Sequence, residues 1–247
     1  MKLAASNIAW KHEDNEVVAG LLRRYGFTGV EVTPYTAFTA PWWRKQGFEV
    51  VAMQGLLHGV EGASLWGKGL AVAVEGLARA IRLAETHSIP NLVFGCPSAR
   101  NCADYPPRLA RRQAKQLFKL LGSMCDKTRI LIEPLGTEHG CWFLNSTREV
   151  AEFVKSLDVP SVRVHLDYAS LKSTGEDIES TLSGVYGRYH FHASTPGLRP
   201  LGEWEDSYVG EMFREIKHQV FCYVSLEQRD HGLEALEESL SLMQEMA

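Results

Sequence analysis

Four residues with metal-binding side chains stand at equivalent places in the second half of the sequence. Each follows or ends a short aliphatic run, as in ILIEP (residues 130–134), and the four residues are Glu133, Asp167, His192 and Glu227. A single case could be the first solvated residue after a strand, but the arrangement recurs in four successive runs. If the runs are adjacent parallel strands, their carboxyl ends lie side by side and the four side chains converge. The spacing therefore predicts a site of three carboxylates and one imidazole.

This ligand set favours particular metals. Carboxylate oxygens and one imidazole suit Mn²⁺, Mg²⁺ or Co²⁺, whereas structural zinc sites are commonly rich in thiolates. We expect Mn²⁺, with Mg²⁺, Co²⁺ and Zn²⁺ as alternatives. A cation would also compensate the charge of the carboxylates, because burying them without a partner is costly.

The elements that must position these residues follow from the hydrophobic pattern. Runs rich in Val, Ile, Leu and Phe alternate with longer segments of helical period, which is typical of a parallel sheet covered by helices. The predicted strands span residues 2–9, 29–33, 49–57, 91–96, 129–135, 161–167, 188–192 and 221–227. Without a linker between them, these units predict an α/β protein with one domain over residues 1–247, a (β/α)8 TIM barrel. A doubly wound open sheet is the alternative, but the first run lacks a glycine-rich nucleotide-binding turn.

The alternation within each run predicts which residues face the barrel interior. In the sixth run, Asp167 has the parity of Arg163 and His165, and in the seventh His192 has that of His190. If the aliphatic residues between them pack under the helices, these polar residues point inward. The upper part of the interior is therefore predicted to be polar.

Composition limits the classes of function. The formal net charge is −4, which disfavours electrostatic binding to nucleic acid or to an anionic membrane. The chain has five cysteines without a CxxC pair, which suits a reduced, cytoplasmic protein. The N-terminal residues lack a signal-peptide core, and no apolar run is long enough to cross a membrane.

The four strand-end residues, in this order, resemble the sugar phosphate isomerase/epimerase group of the xylose isomerase-like TIM-barrel superfamily. This group includes ketose 3-epimerases, hydroxypyruvate isomerase, and inosose isomerases and dehydratases. Further similar stretches are GVEVTP (29–34), VVAMQGLLHG (50–59), LVFGCP (92–97) and HASTPGLRPLGEW (192–204). The resemblance extends over essentially the whole chain.

The resemblance implies a metal-dependent isomerase or epimerase of a keto-sugar or related α-hydroxy carbonyl. Such a reaction removes the proton next to the carbonyl, and a divalent cation stabilises the resulting enediolate. By resemblance, Glu133 and Glu227 are the acid and base as well as ligands, while Asp167 and His192 are ligands only. The implied partner is a small carbohydrate, and relatives suggest a homodimer or homotetramer. The alternatives are a dehydratase or lyase of a keto-sugar or keto-inositol and a non-catalytic sugar-binding barrel.

Further substrate-binding candidates stand near other strand ends. Glu31 and Gln54 end the second and third runs and could hydrogen-bond hydroxyl groups, as could His58. By resemblance, Arg199 would bind a substrate oxygen, and His139 lies in the loop where epimerases contact substrate. The competing interpretation is that Arg199 and His58 are exposed loop residues without a role in substrate binding.

One position departs from the ketose epimerases, which carry a histidine three residues after the metal-binding aspartate. Ser170 occupies that position here. A free ketohexose substrate is therefore doubtful. The same missing histidine, together with the negative net charge, disfavours the apurinic endonucleases of this superfamily, which cut DNA at a trinuclear zinc centre.

Overall fold

A computed structural model describes residues 1–177, 181, 189–204, 206–216 and 221–247. Strands and helices alternate through these ranges, as the hydrophobic pattern predicts. The strands are Leu3–Ser6 (β1), Gly29–Val32 (β2), Glu49–Met53 (β3), Asn91–Phe94 (β4), Arg129–Ile132 (β5), Val162–Val164 (β6), Leu166–Asp167 (β7), Tyr189–Ser194 (β8) and Phe221–Glu227 (β9). The α-helices are Asn15–Arg24 (α1), Ala40–Lys45 (α2), Leu70–Thr86 (α3), Pro107–Ser123 (α4), Thr147–Leu157 (α5), Tyr168–Ser173 (α6), Asp206–Ile216 (α7) and Leu233–Met246 (α8). Within the described part of the chain, no helix is long and apolar enough to cross a membrane.

The chain contains two compact units. Unit 1 comprises Met1–Val32, Thr39–Val51 and Leu166–Ala247, and unit 2 comprises Thr33–Phe38 and Ala52–His165. In unit 1 the strands pair in the order β2, β1, β9, β8, β7, and every pair is parallel. In unit 2, β4 pairs with β5 and β5 with β6, again in parallel, and Met53 of β3 pairs with Leu92 of β4. The expectation of a single domain over residues 1–247 stays a prediction.

The predicted strands have counterparts, but several bounds differ. β1, β3 and β5 end at Ser6, Met53 and Ile132, earlier than predicted, because the chain leaves the sheet there. After β1 it turns directly into the 3-10 helix Asn7–Trp10. β8 continues two residues further than predicted, to Ser194. Residue 188, the predicted start of the seventh strand, lies outside the described residues.

The sixth predicted strand is two strands, which corrects the expectation of one strand over residues 161–167. β6 pairs with β5, Val164 lying opposite Ile132, and β7 pairs with β8, Asp167 lying opposite His192. His165, between the two strands, donates its backbone N–H to the carbonyl of Ile132 at 2.8 Å. The strand breaks because successive parts of one run pair with different partners.

Capping side chains and a glycine in the left-handed conformation define the ends of several helices. The carboxylate of Asp14 accepts the backbone N–H of Glu16 at 2.7 Å and begins α1. Gly26, with φ of +73°, ends the same segment in a conformation that favours glycine. The hydroxyl of Ser146 accepts the N–H of Glu149 at 3.2 Å and begins α5.

Aromatic clusters form part of the core of each unit. In unit 1 the buried ring of Trp43 contacts Trp10 and Phe48 with centroid distances of 6.0 and 5.6 Å. In unit 2 the ring of Phe118 contacts Phe94 and Phe153 at 5.1 and 5.7 Å. Phe94 lies in β4, Phe118 in α4 and Phe153 in α5, so the second cluster packs two helices against the sheet of unit 2.

Candidate metal centre

Three of the four predicted ligands come together at the ends of β7, β8 and β9. Asp167 pairs in register with His192, and Glu227 pairs with Ser194, which is two residues further along β8. The three side chains therefore lie on adjacent strands near the same end of the sheet. Each offers one ligand atom, and these atoms lie within 4.8 Å of one another. All three residues are buried, with exposed fractions of 4%, 0% and 6% for Asp167, His192 and Glu227. The cluster therefore has the donor types and the spacing that a divalent cation requires.

The imidazole of His192 lies between two carboxylates. Its Nε2 is 3.1 Å from Oε1 and 3.2 Å from Oε2 of Glu31. Its Nδ1 is 3.1 Å from Oε2 of Glu227. In the tautomer that carries the proton on Nε2, this N–H donates a hydrogen bond to Glu31, and Nδ1 presents its lone pair toward Glu227. This is the carboxylate–histidine arrangement that orients metal-binding histidines in proteins.

Glu31 is a fully buried residue that interacts with two histidines. Oε1 of Glu31 is 2.7 Å from Nε2 of His190, in addition to its contact with His192. Burial alone would raise the pKa of the Glu31 carboxyl, but the charges and hydrogen bonds of His192 and His190 outweigh it and hold this pKa well below its usual value. Burial alone would lower the pKa of His192, but the charges of Glu227 and Glu31 raise it well above its usual value. In the metal-free protein, a protonated His192 thus balances part of the negative charge of this cluster.

Asp167 has a structural function as well as its place in the cluster. Its Oδ1 accepts the backbone N–H of Ser170 at 2.7 Å, which begins α6. Its Oδ2 accepts a short hydrogen bond from the hydroxyl of Ser194. Burial, followed by the charge of Glu227, raises the pKa of the Asp167 carboxyl. Ser170, which stands where epimerases have a histidine, is buried and contributes its backbone N–H to this cap.

Glu133, the remaining predicted ligand, directly follows β5 in unit 2. Its exposed fraction is 8%, and its backbone N–H donates to the carbonyl of Phe94 at 3.2 Å. Its own carbonyl accepts a hydrogen bond from the guanidinium of Arg100 at 2.7 Å. Glu133 is thus held by backbone interactions at the carboxyl end of its strand, and its role as a ligand stays a prediction.

The other predicted site residues differ in exposure and contacts. Gln54 is buried just after β3, whereas His58 and His139 are exposed in loops of the same unit. The side chain of Arg199 is 57% exposed, and its Nε donates to Oε2 of Glu203 at 2.7 Å. This contact agrees with the surface-loop interpretation of Arg199. The substrate-binding roles of these residues, and that of Glu31, stay predictions.

Sequence reasoning missed two residues that contact the site. Ser194 has the same strand parity as His192, so the alternation along β8 could have identified it. Arg100 lies in the 3-10 helix Pro97–Arg100 and is fully buried. Neither periodicity nor spacing in the sequence distinguishes this arginine from a surface residue.

Three solved structures resemble the chain over almost its whole length. D-Allulose 3-epimerase from Methylomonas sp., in complex with D-allulose, is 14% identical with a TM-score of 0.77, covering 100% of this chain and 96% of that one. The 3-keto-D-glucoside 4-epimerase from E. coli is 13% identical with a TM-score of 0.75, covering 100% and 98%. The probable 3-DHS dehydratase from Bacillus anthracis is 15% identical with a TM-score of 0.68, covering 99% and 98%. At these identities the likeness establishes the fold and not the reaction.

A family comparison identifies the chain more directly. The model of the family described as xylose isomerase-like TIM barrel matches residues 19–246. Among curated proteins, no sequence matches the chain. The family match and the solved structures confirm the α/β TIM-barrel prediction, and the family match confirms the resemblance to the xylose isomerase-like superfamily. The chain belongs to the xylose isomerase-like TIM-barrel family.

Proposed function

We propose that this protein is a divalent-metal-dependent isomerase or epimerase of a keto-sugar or related α-hydroxy carbonyl. The observation that carries the proposal is the buried cluster of Asp167, His192 and Glu227, whose donor atoms lie within 4.8 Å of one another. Glu133, at the end of β5, is proposed as the fourth ligand. Mn²⁺ is the proposed metal, because the set is dominated by hard oxygen donors. A bound divalent cation would act as a Lewis acid for the negative charge that develops on the carbonyl oxygen when the neighbouring carbon loses its proton.

Two glutamates are proposed to move the proton. Glu227 and Glu133 are both more than nine-tenths buried, and both follow or end strands of a TIM barrel, where active sites form. One carboxylate removes the proton next to the carbonyl, and the other returns a proton to the opposite face or to the neighbouring carbon. Contact with His192 holds Glu227 at a defined position, which favours productive orientation.

A dehydratase or lyase of a keto-sugar or keto-inositol is the second candidate. Ser170 in place of the epimerase histidine makes a free ketohexose doubtful as the substrate, and a dehydratase is among the structural neighbours. Both reactions begin with proton removal next to a carbonyl, and they differ only in the fate of the intermediate. Product analysis separates them.

The test combines metal analysis with solvent exchange. Protein purified without chelators is analysed for bound metal, and deuterium incorporation into keto-sugars, keto-inositols and hydroxypyruvate is followed by NMR. We expect exchange that is abolished by EDTA and restored by Mn²⁺. The Glu227→Gln variant should lose at least about 100-fold in exchange rate, because a positioned acid or base contributes about that much.

The surface variant Glu152→Gln is a suitable control, since Glu152 forms only an exposed pair with Arg148. It should retain the wild-type rate. Exchange with an epimerised or isomerised product supports the first candidate, and loss of water from the substrate supports the second. A protein that binds sugars without exchange is a non-catalytic barrel, and one that takes up no divalent metal contradicts the proposal.

A further inference from the structure

Arg100 is one of the largest fully buried side chains among the described residues, with an exposed fraction of 0%. It lies in unit 2, six residues after β4, and its guanidinium is 5.9 Å from the ring centroid of Phe94. Burial of a guanidinium costs free energy unless its N–H groups find partners. The partners of Arg100 therefore indicate why an arginine occupies this position.

All five hydrogen bonds of the guanidinium go to backbone carbonyl oxygens. Nη1 donates to Gly95 at 3.0 Å and to Glu133 at 2.7 Å. Nη2 donates to Phe143 and Leu144, each at 2.6 Å, and Nε also donates to Phe143, at 3.1 Å. The planar guanidinium presents five N–H donors on three nitrogens, whereas the ammonium of lysine has three donors on one nitrogen and cannot make all five hydrogen bonds. Arg100 thereby joins the residues that follow β4 and β5 to the loop before α5.

Gly95 defines the position of the Glu133 side chain. A Cβ atom added to Gly95 would collide with Oε2 of Glu133. The carboxylate of Glu133 therefore lies directly against the backbone at Gly95, and it occupies the space that the Cβ atom of any other residue at position 95 would take. Arg100 donates to the backbone carbonyls of these same two residues, so it fixes the separation between the backbone at Gly95 and the backbone of Glu133, whose carboxylate lies against it.

We infer that Arg100 and Gly95 are positioning residues, which hold the carboxylate of Glu133 in place for metal binding and proton transfer. The inference rests on the proposed function, in which Glu133 is a ligand and an acid or base. A purely structural role is the competing explanation, since loss of five hydrogen bonds would also destabilise the loop. Metal affinity separates the two, because it is measured on protein that is folded.

The experiment is a calorimetric titration of metal-free protein with Mn²⁺, carried out at a temperature well below that of unfolding. The variants are Arg100→Met, Arg100→Lys, Gly95→Ala and Glu133→Gln. Leu77→Ala is the stability control, because it removes a buried side chain from α3 and none of the Arg100 hydrogen bonds. We expect Arg100→Met and Gly95→Ala to weaken Mn²⁺ binding about 10- to 100-fold, the effect typical of residues that orient ligands. Arg100→Lys should recover part of the affinity, and Leu77→Ala should bind as the wild type does.

The outcomes distinguish this inference from the proposed function. If wild type binds Mn²⁺ and Glu133→Gln binds it weakly, but Arg100→Met and Gly95→Ala match Leu77→Ala, the inference is wrong and the function stands. If wild type binds no Mn²⁺, the proposed function fails, and crystal structures of the metal-free variants decide the inference. A shift of the Glu133 carboxylate by more than about 0.5 Å in Arg100→Met and Gly95→Ala would support positioning. An unmoved carboxylate would overturn it.

Discussion

His192 is the residue whose surroundings distinguish the candidate site from a set of unrelated strand ends. Both ring nitrogens face carboxylates, with Glu31 at Nε2 and Glu227 at Nδ1. The Glu31 contact fixes the ring and favours the tautomer with the proton on Nε2, so that Nδ1 is the nitrogen oriented for a cation. A carboxylate that was expected to bind substrate thus contacts a proposed metal ligand directly.

This arrangement predicts the effect of replacing Glu31. Glu31→Gln keeps the shape of the side chain but removes the charge that fixes His192, and Mn²⁺ affinity should fall about 10-fold or more. Calorimetric titration of metal-free protein measures the change. A Glu31→Gln variant with wild-type Mn²⁺ affinity and weaker substrate binding would instead identify Glu31 as a substrate ligand. Glu152→Gln, a change at an exposed position outside the candidate site, is the control and should leave the affinity unchanged.

The sequence predicts some contacts between residues of the candidate site and misses others, because strand order can be inferred from the sequence and strand register cannot. Asp167, His192 and Glu227 are on consecutive strands, so strand order and parity suffice to bring them together. Glu31 meets His190 across 159 residues of sequence, and that pairing depends on how β1 and β9 place β2 relative to β8. A sequence pattern carries no information on the register of strands that are not consecutive. Glu31 was therefore predicted as a site residue, but its contact with His190 was not.

Among the elements, the connection before β5 is held by a helix side chain. Oε1 of Glu85, near the end of α3, accepts backbone N–H groups of Asp126, Lys127 and Thr128 at 2.8, 3.1 and 3.0 Å. Burial alone would raise the pKa of Glu85, but these hydrogen bonds outweigh it and lower the pKa below its usual value. A carboxylate that accepts several N–H groups is favoured in its charged form. Glu85 therefore helps to fix the segment from which β5 begins.

We predict that Glu85→Gln lowers the free energy of unfolding by about 1 kcal/mol at pH 7, the typical contribution of a hydrogen bond to a charged acceptor at a partly exposed site. The folded-state pKa is below the unfolded one, so this contribution is complete above the unfolded value and disappears as the pH falls through the folded value. The difference between wild type and variant should therefore shrink below about pH 4.

Urea unfolding at pH 7 and at successively lower pH tests this prediction. Glu75→Gln is the matched control, since Glu75 is an exposed residue of the same helix. A stability difference that is constant with pH would show that the charge of Glu85 is not responsible.

The elements themselves were largely predictable from sequence. Period-2 and helical patterns indicate the strands and helices, and capping residues such as Asp14 and Ser146 indicate where helices begin. The break at His165 was not predictable, because Val164, His165, Leu166 and Asp167 are all buried, and apolar and polar residues continue to alternate where the strand partner changes. Several strand ends, such as that of β3, were placed too late, since hydrophobic loop residues such as Leu56 and Leu57 are buried like those of strands.

For the whole molecule, the proposed cation should contribute to stability. Asp167 and Glu227 are buried close together, and the charge of Glu227 raises the pKa of Asp167, which is evidence of repulsion that a cation would relieve. At a Mn²⁺ concentration of 100 times its Kd, binding to the folded state alone stabilises by about 2.7 kcal/mol. For a chain of this size, the unfolding temperature should rise by about 5–10 °C.

Thermal unfolding with EDTA and with Mn²⁺ measures this shift. Glu227→Gln should reduce the shift, because a ligand is lost, while Glu152→Gln should retain it in full. An unfolding temperature that does not depend on Mn²⁺ would argue against a metal centre in the folded protein.

The hydrogen bonds of Arg100 also have a consequence for the order of folding. They join Arg100 to carbonyls 33, 43 and 44 residues further along the chain. Contacts between distant residues form only after the entropy of closing the intervening loop has been lost, so they develop late. The pairing of β4 with β5 spans a similar length of chain, so the hydrogen bonds of Arg100 to Gly95 and Glu133 should form together with that pairing. Until the loop at Phe143 joins them, water can take the place of the remaining partners of the guanidinium.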